Sequence, residues 1–168
     1  IGALFLLLVL IIMKKRPSLS AIKNNLFILI ISGAAIGVNW ILLFESYSYT
    51  TIATSTLCYY MAPVFVIIAS PLVLKTRIGL QKWIAVAVAL GGMALVSGIF
   101  EEGAGGEGNV IGILLALGAA VFYASVTILN KKLHDISSYD TTIVQLGVAG
   151  VVVLPYTLFM ESNDLSSF

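Results

Sequence analysis

Apolar residues run in long stretches along this chain, separated by short polar connections. Five stretches, residues 26–47, 51–74, 83–100, 110–129 and 141–160, each have the length of about 20 residues that a helix needs to cross a bilayer core. A sixth, residues 1–13, is shorter. The pattern predicts six helices and an all-α fold, a polytopic transmembrane helical bundle. Strands are a poor match, because a membrane barrel shows shorter segments alternating apolar and polar, whereas these runs are apolar all round. Within the second run Gly33 and Gly37 stand at GxxxG spacing. Glycine weakens a helix in water, but in lipid it lets two helix backbones approach closely.

The short first stretch reads as a truncated span. A signal peptide would carry its basic residues before the apolar run, whereas Lys14, Lys15 and Arg16 follow it. The far end, Ser162 to Phe168, is polar. Both ends are expected to continue in a longer protein.

Composition agrees with a lipid-solvated chain. Of 168 residues 60% are hydrophobic and 10% charged, with a mean hydropathy of +1.07; soluble domains carry about a quarter charged residues. The lipid bilayer is thus the expected surrounding, and a net charge of +1 gives no reason to expect nucleic acid as a partner. The single cysteine, Cys58, lies inside an apolar run and reads as a small core residue.

Placement of charge says more than its total. All nine Lys and Arg fall in alternate connections: Lys14, Lys15, Arg16 and Lys23, then Lys75, Arg77 and Lys82, then Lys131 and Lys132. The remaining connections hold Ser48 to Thr50, the segment 101–109 with three glutamates and four glycines, and Glu161 with Asp164. Basic connections stay in the cytoplasm. Residues 14–25, 75–82 and 130–140 are therefore expected inside a multi-pass protein of the plasma membrane, and 48–50, 101–109 and 161–168 outside.

Two stretches have a familiar cast. VNWILLFESYSYTTIATSTLCYYMAPVFVIIASPLVL, beginning at Val38, followed by QKWIAVAVALGGMALVSG, resembles the EamA-type family of the drug/metabolite transporter superfamily. GILLALGAAVFYASVTILNKKL, from Gly112 to Leu133, resembles the opening of that family's second repeat. The resemblance implies a ten-helix inverted-repeat transporter of which this chain holds helices two to seven. Residues 1–100 would be the remainder of the first repeat, 101–109 an acidic, glycine-rich outer loop, and 110–168 the start of the second repeat, with the missing helices of the same chain as partners. An odd number of helices per repeat turns the second upside down. In keeping with that, 1–13 ends in a basic connection and 141–160 in an acidic one. One departure stands out: where the family usually has a Gly-Glu pair after its fourth helix, this chain has Leu74-Lys75-Thr76-Arg77.

The function expected is a secondary transporter working by alternating access on small-molecule substrates. Polar side chains at mid-membrane depth are the candidates for binding them. Tyr59 and Tyr60 lie eight or nine residues into their span, about 12–14 Å at 1.5 Å per residue, although tyrosine usually favours interfaces. Each could instead make an interhelical hydrogen bond. The two are about 100° apart on a helix, so one is expected to face inward, and Tyr60 is preferred because Pro63, expected to kink the helix, lies one turn on. Ser32, Asn39 and Ser46 recur every seven residues and share a face. Asn39, the most informative of them, reads either as substrate ligand or as an interhelical hydrogen bonder. Tyr123, Thr127 and Asn130 form a stripe on the fifth span, with Asn130 at the interface. Glu45 is the acidic residue embedded in a span, and it reads either as a proton-coupling group or as a boundary carboxylate reaching water. His134 is expected to be solvated.

No Lys or Arg lies deep in a span, which favours neutral or zwitterionic metabolites such as amino acids over phosphorylated ones. An intramembrane enzyme would need a nucleophile with a buried base or paired carboxylates, and no such catalytic set, metal site or cofactor motif is visible. A structural or regulatory membrane protein is the remaining alternative.

The charge pattern makes a direct prediction. Cysteines placed singly at Ser20 and Gly105 in a cysteine-free complete protein should react with an impermeant maleimide from opposite sides, Gly105 from outside. Labelling of both from one side would refute the six-span topology.

Overall fold

The computed structural model describes residues 18–74, 79–96 and 107–165. The expected span at 1–13 lies outside them, as does Lys75-Thr76-Arg77. Among the described residues the chain is helical: α1 (Leu19–Ser46), α2 (Ile52–Tyr59), α3 (Ala62–Leu74), α4 (Leu80–Val96), α5 (Glu107–Asn130) and α6 (Ser138–Leu165). Four segments, Leu19–Ser46, Ile52–Val73, Asn109–Asn130 and Ser138–Phe159, are long and apolar enough to cross a membrane, and Leu80–Gly92 is apolar but shorter.

Helix ends differ from the apolar runs for local reasons. Helix α1, expected from residue 26, starts at Leu19, so Lys23 rides on its first turns. Ser18 begins it by offering its hydroxyl to the Ala21 N–H at 3.5 Å. Helix α6 likewise starts at Ser138 rather than 141, because Ser137 accepts the Asp140 N–H at 3.1 Å. At its other end the helix runs to Leu165, through residues expected to be loop. Thr51 caps α2 by accepting from the Thr54 N–H at 3.1 Å. Before α6 the chain turns through Asp135 at φ 52°, the left-handed region that a short polar residue tolerates.

The span expected at 51–74 is two helices separated at Tyr60 and Met61. Pro63 supplies the reason. Its nitrogen has no hydrogen to donate and its ring crowds the carbonyl four residues back, so a continuous helix fails just upstream. Backbone bonds tighten across the gap: the Met61 N–H donates to the Cys58 carbonyl at 3.1 Å and the Val64 N–H to that of Met61 at 2.9 Å. Pro63 then sits in the first turn of α3, where a missing N–H is harmless.

The chain divides into two compact units. One comprises Ile1–Val38 with Leu129–Phe168. In it the first part of α1 lies against α6 with backbones nearly touching. A Cβ on Gly33 would come within 2.8 Å of the Val148 Cβ and 3.0 Å of the Gln145 carbonyl oxygen. One on Gly37 would meet the Val152 Cβ at 2.8 Å and the Ala149 oxygen at 3.1 Å. The other unit, Asn39–Ile128, contains the end of α1, helices α2 to α4 and most of α5. Met61, Val64 and Val86 form its apolar cluster, flanked by Phe65, Ile67, Ala89 and Leu117. Buried Ala116, Ala119 and Ala120 give α5 a small-residue face.

Many large apolar side chains point the other way. Phe27 is 78% exposed and Leu72 83%. A water-soluble core would bury those and expose small or polar residues; here small residues make the contacts between helices, as packing in lipid favours.

The glycine contacts predict a specific sensitivity. Gly33→Val or Gly37→Val in the complete protein should lower stability by about 1–3 kcal/mol, the usual cost of overpacking, read from unfolding midpoints in detergent. Gly147→Ala and Gly91→Ala, where a Cβ meets nothing within 4 Å, should leave it unchanged or slightly raised.

Candidate functional site

The polar stripe on α1 finds a partner at each step. In the first unit Ser32 is fully buried; its hydroxyl donates to the Ile28 carbonyl at 2.7 Å and accepts from the Gln145 amide at 2.6 Å. In the second unit Ser46 donates to the Leu43 carbonyl at 2.6 Å, and its oxygen lies 2.9 Å from that of Ser55, both side chains fully buried. Hydroxyls bonded to their own helix need little more to enter hydrocarbon.

Asn39, between them on the stripe, reaches the backbone of another helix. Only 1% of it is exposed, and its amide donates to the Ala119 carbonyl on α5 at 2.6 Å. That carbonyl can be reached because the neighbouring alanines hold the helices close. With its NH₂ anchored, the amide oxygen of Asn39 faces the Tyr59 hydroxyl, which donates to it across 3.5 Å. The Tyr59 ring meets that of Tyr123 edge to face, centroids 5.7 Å apart and planes at 61°. Tyr123 remains 46% exposed. Thr127, one turn further along α5, returns its hydroxyl to the Tyr123 carbonyl at 3.0 Å. The second unit thus holds a polar and aromatic cluster, Asn39, Tyr59 and Tyr123, with Thr127 beside it.

Two expected residues lie elsewhere. Tyr60, preferred over Tyr59 on helical arithmetic, falls on the break between α2 and α3 and is 67% exposed. A regular helix ends at Tyr59, so counting turns from Tyr60 to Pro63 no longer gives a shared face. Glu45 is half-buried in the last turn of α1, where its carbonyl accepts the Ser48 N–H at 3.0 Å. Among the described residues no three His, Cys, Asp or Glu converge as a metal site.

The first unit contains polar residues that the sequence reading passed over. Gln145, 5% exposed, donates to Ser32 and to the Asn130 oxygen, both at 2.6 Å. With Asn130, Ser138, Thr141 and Thr142 it lines a cavity of about 280 Å³. The signal was there: a lone glutamine within an apolar run. Asn25 and Asp140 are also buried, 6% and 4% exposed, although each stands at the edge of a run, where polar residues normally meet water.

Comparison with known proteins adds an independent line. The profile of the EamA-like transporter family matches residues 1–98 and 110–167. An uncharacterized transporter, YxxF, of Bacillus subtilis (strain 168) is 31% identical over 128 residues, covering 76% of this chain and 41% of that relative. An uncharacterized transporter of Clostridium kluyveri is 30% identical over 139 residues, covering 81% of this chain and 45% of the relative. The chain therefore spans less than half the length of these curated relatives. No solved structure matches it significantly.

The cluster geometry predicts a coupling. In a double-mutant cycle on the complete protein, Asn39→Ala and Tyr59→Phe should be non-additive by roughly 0.5–1 kcal/mol, the range of interhelical hydrogen bonds in membranes. Asn39→Ala combined with Tyr60→Phe should be additive.

Proposed function

Because the chain belongs to the EamA-like transporter family, we propose that the complete multi-pass plasma-membrane protein is a secondary transporter of small neutral or zwitterionic metabolites, amino acids among them, working by alternating access. Residues 1–100 and 110–168 are then parts of its first and second repeats, joined by an external acidic segment. The inner and outer connections follow the positive-inside assignment, with 14–25, 75–82 and 130–140 cytoplasmic.

One observation carries the reading of the site. Asn39, Tyr59 and Tyr123 meet within membrane-spanning segments, and the amide and phenol groups are joined to one another instead of being separately absorbed by their own helices. A solute entering hydrocarbon must exchange its water for partners of this kind. Asn39 is held on the backbone of α5, so it acts mainly to orient the Tyr59 hydroxyl. Tyr59 and the exposed side of Tyr123 are the direct contacts, and Thr127 borders them. Tyr60, exposed at the break before Pro63, is the secondary candidate. All of these groups are uncharged, which suits a solute without net charge better than an anion. Glu45 supplies the titratable group through which a proton gradient could drive the cycle.

Uptake and counterflow in proteoliposomes, with the complete protein and a panel of labelled amino acids, test this. For whichever is carried, Tyr59→Phe and Tyr123→Phe should weaken affinity about fivefold, equivalent to about 1 kcal/mol, with folded yield unchanged. Asn39→Ala should lower both affinity and stability. Glu45→Gln should abolish gradient-driven uptake and spare exchange. Unchanged affinity in the three site variants would refute the cavity, and no uptake or exchange of any solute would refute the carrier.

A further inference from the structure

The first unit has a polar fastening at one end. Asn25 on α1 reaches the connection between α5 and α6 and pairs with His134 as one backbone pairs with another: its NH₂ donates to the His134 carbonyl at 2.9 Å, and its oxygen accepts the His134 N–H at 3.2 Å. The same NH₂ also donates to the Ala21 carbonyl at 2.9 Å, which holds the side chain in place. Nearby, a carboxylate oxygen of Asp140 accepts the N–H of Ser18, the residue that opens α1, at 3.3 Å. Asp140 also lies in the first turn of α6, near the positive end of that helix. A single carboxylate therefore serves the starts of two helices.

These contacts join the two segments matched by the family profile, since Ser18 and Asn25 lie in 1–98 and His134 and Asp140 in 110–167. Both helices begin from basic, inward-facing connections. Toward the membrane, the next contacts between the same helices are Ser32 with Gln145 and then the close approach at Gly33 and Gly37. Small residues make a contact at which two helices can roll without losing large interlocked side chains. The hydrogen bonds at Asn25 and Asp140 have no such slack. They must be whole or broken, as a latch is.

We propose that Asn25 and Asp140 form a cytoplasmic latch that holds the inner ends of α1 and α6 together, and that its release opens this end of the protein during the cycle. This rests on the alternating-access reading above. Neither residue lies in the substrate cluster, and neither need touch the solute. A ligand that bound better to the unlatched state would shift the protein toward it by that difference in affinity.

The test reads opening directly and needs no substrate. Leu29, fully buried on α1 between Asn25 and Ser32, is replaced by cysteine in the complete, otherwise cysteine-free protein in inside-out vesicles. The rate of labelling by a membrane-impermeant maleimide is then measured. With the latch intact it should be slow. The nearly isosteric Asp140→Asn, which weakens one hydrogen bond, should speed it up to roughly fivefold, Asn25→Ala, which removes both bonds to His134, by at least fivefold, and the two together more. The thermal midpoint in detergent is recorded for each. Labelling at the parental rate in both variants with a lowered midpoint would overturn the proposal and make the contacts a static pin. Failure of both variants to fold would overturn it in the same way. If no solute is carried but labelling still responds, the latch stands and the carrier reading fails; if transport is measured and labelling does not move, the latch alone fails.

Discussion

Inside a bilayer no water is available to complete a hydrogen bond, and that constraint orders this protein. Backbone groups satisfy themselves by forming helices. Side chains must find partners on their own helix or on a neighbour, and the few polar residues admitted to the spans therefore decide which helices touch. Ser32, Asn39 and Ser46 recur on one face of α1, and their partners lie on α6, α5 and α2 respectively. Among the described residues no buried side-chain nitrogen or oxygen lacks a partner.

The same solvent reverses the usual rule of size. Since lipid is as apolar as leucine, nothing is gained by hiding large side chains from it, and helices are held by close contact instead. Gly33, Gly37 and the alanines of α5 lie at the interfaces, while Phe27 and Leu72 face outward. Close approach in turn exposes backbone carbonyls to partners across the interface. Asn39 can reach the Ala119 oxygen because the residues around that carbonyl carry no bulk.

Departures from regular helix gather where chemistry is concentrated. The helix breaks at Tyr60 and Met61, and of the two adjacent tyrosines Tyr59 joins Asn39 and Tyr123 while Tyr60 is exposed. Proline close to a polar cluster gives the span a point at which it can bend without breaking further hydrogen bonds. Where α1 and α6 begin, Asn25 and Asp140 are buried by pairing with backbone groups, while Lys23, Lys131 and Lys132 are exposed.

Length and apolarity of the runs determined the helical class, and the spacing of small and polar residues on α1 already marked its interaction face, because helical periodicity is a local property. The interruption before Pro63 was legible for the same reason, though only as a kink. What local periodicity does not contain is the identity of the facing helix. Tyr59 rather than Tyr60, Asn39 on the carbonyl of Ala119, and Gln145 between Ser32 and Asn130 all depend on which side chains arrive from residues 80 or more positions away, or around a turn. Asn25 and Asp140 looked like ordinary boundary residues, since a polar group at a helix end is solvated by default. Only the tertiary structure supplied the backbone groups that take the place of water.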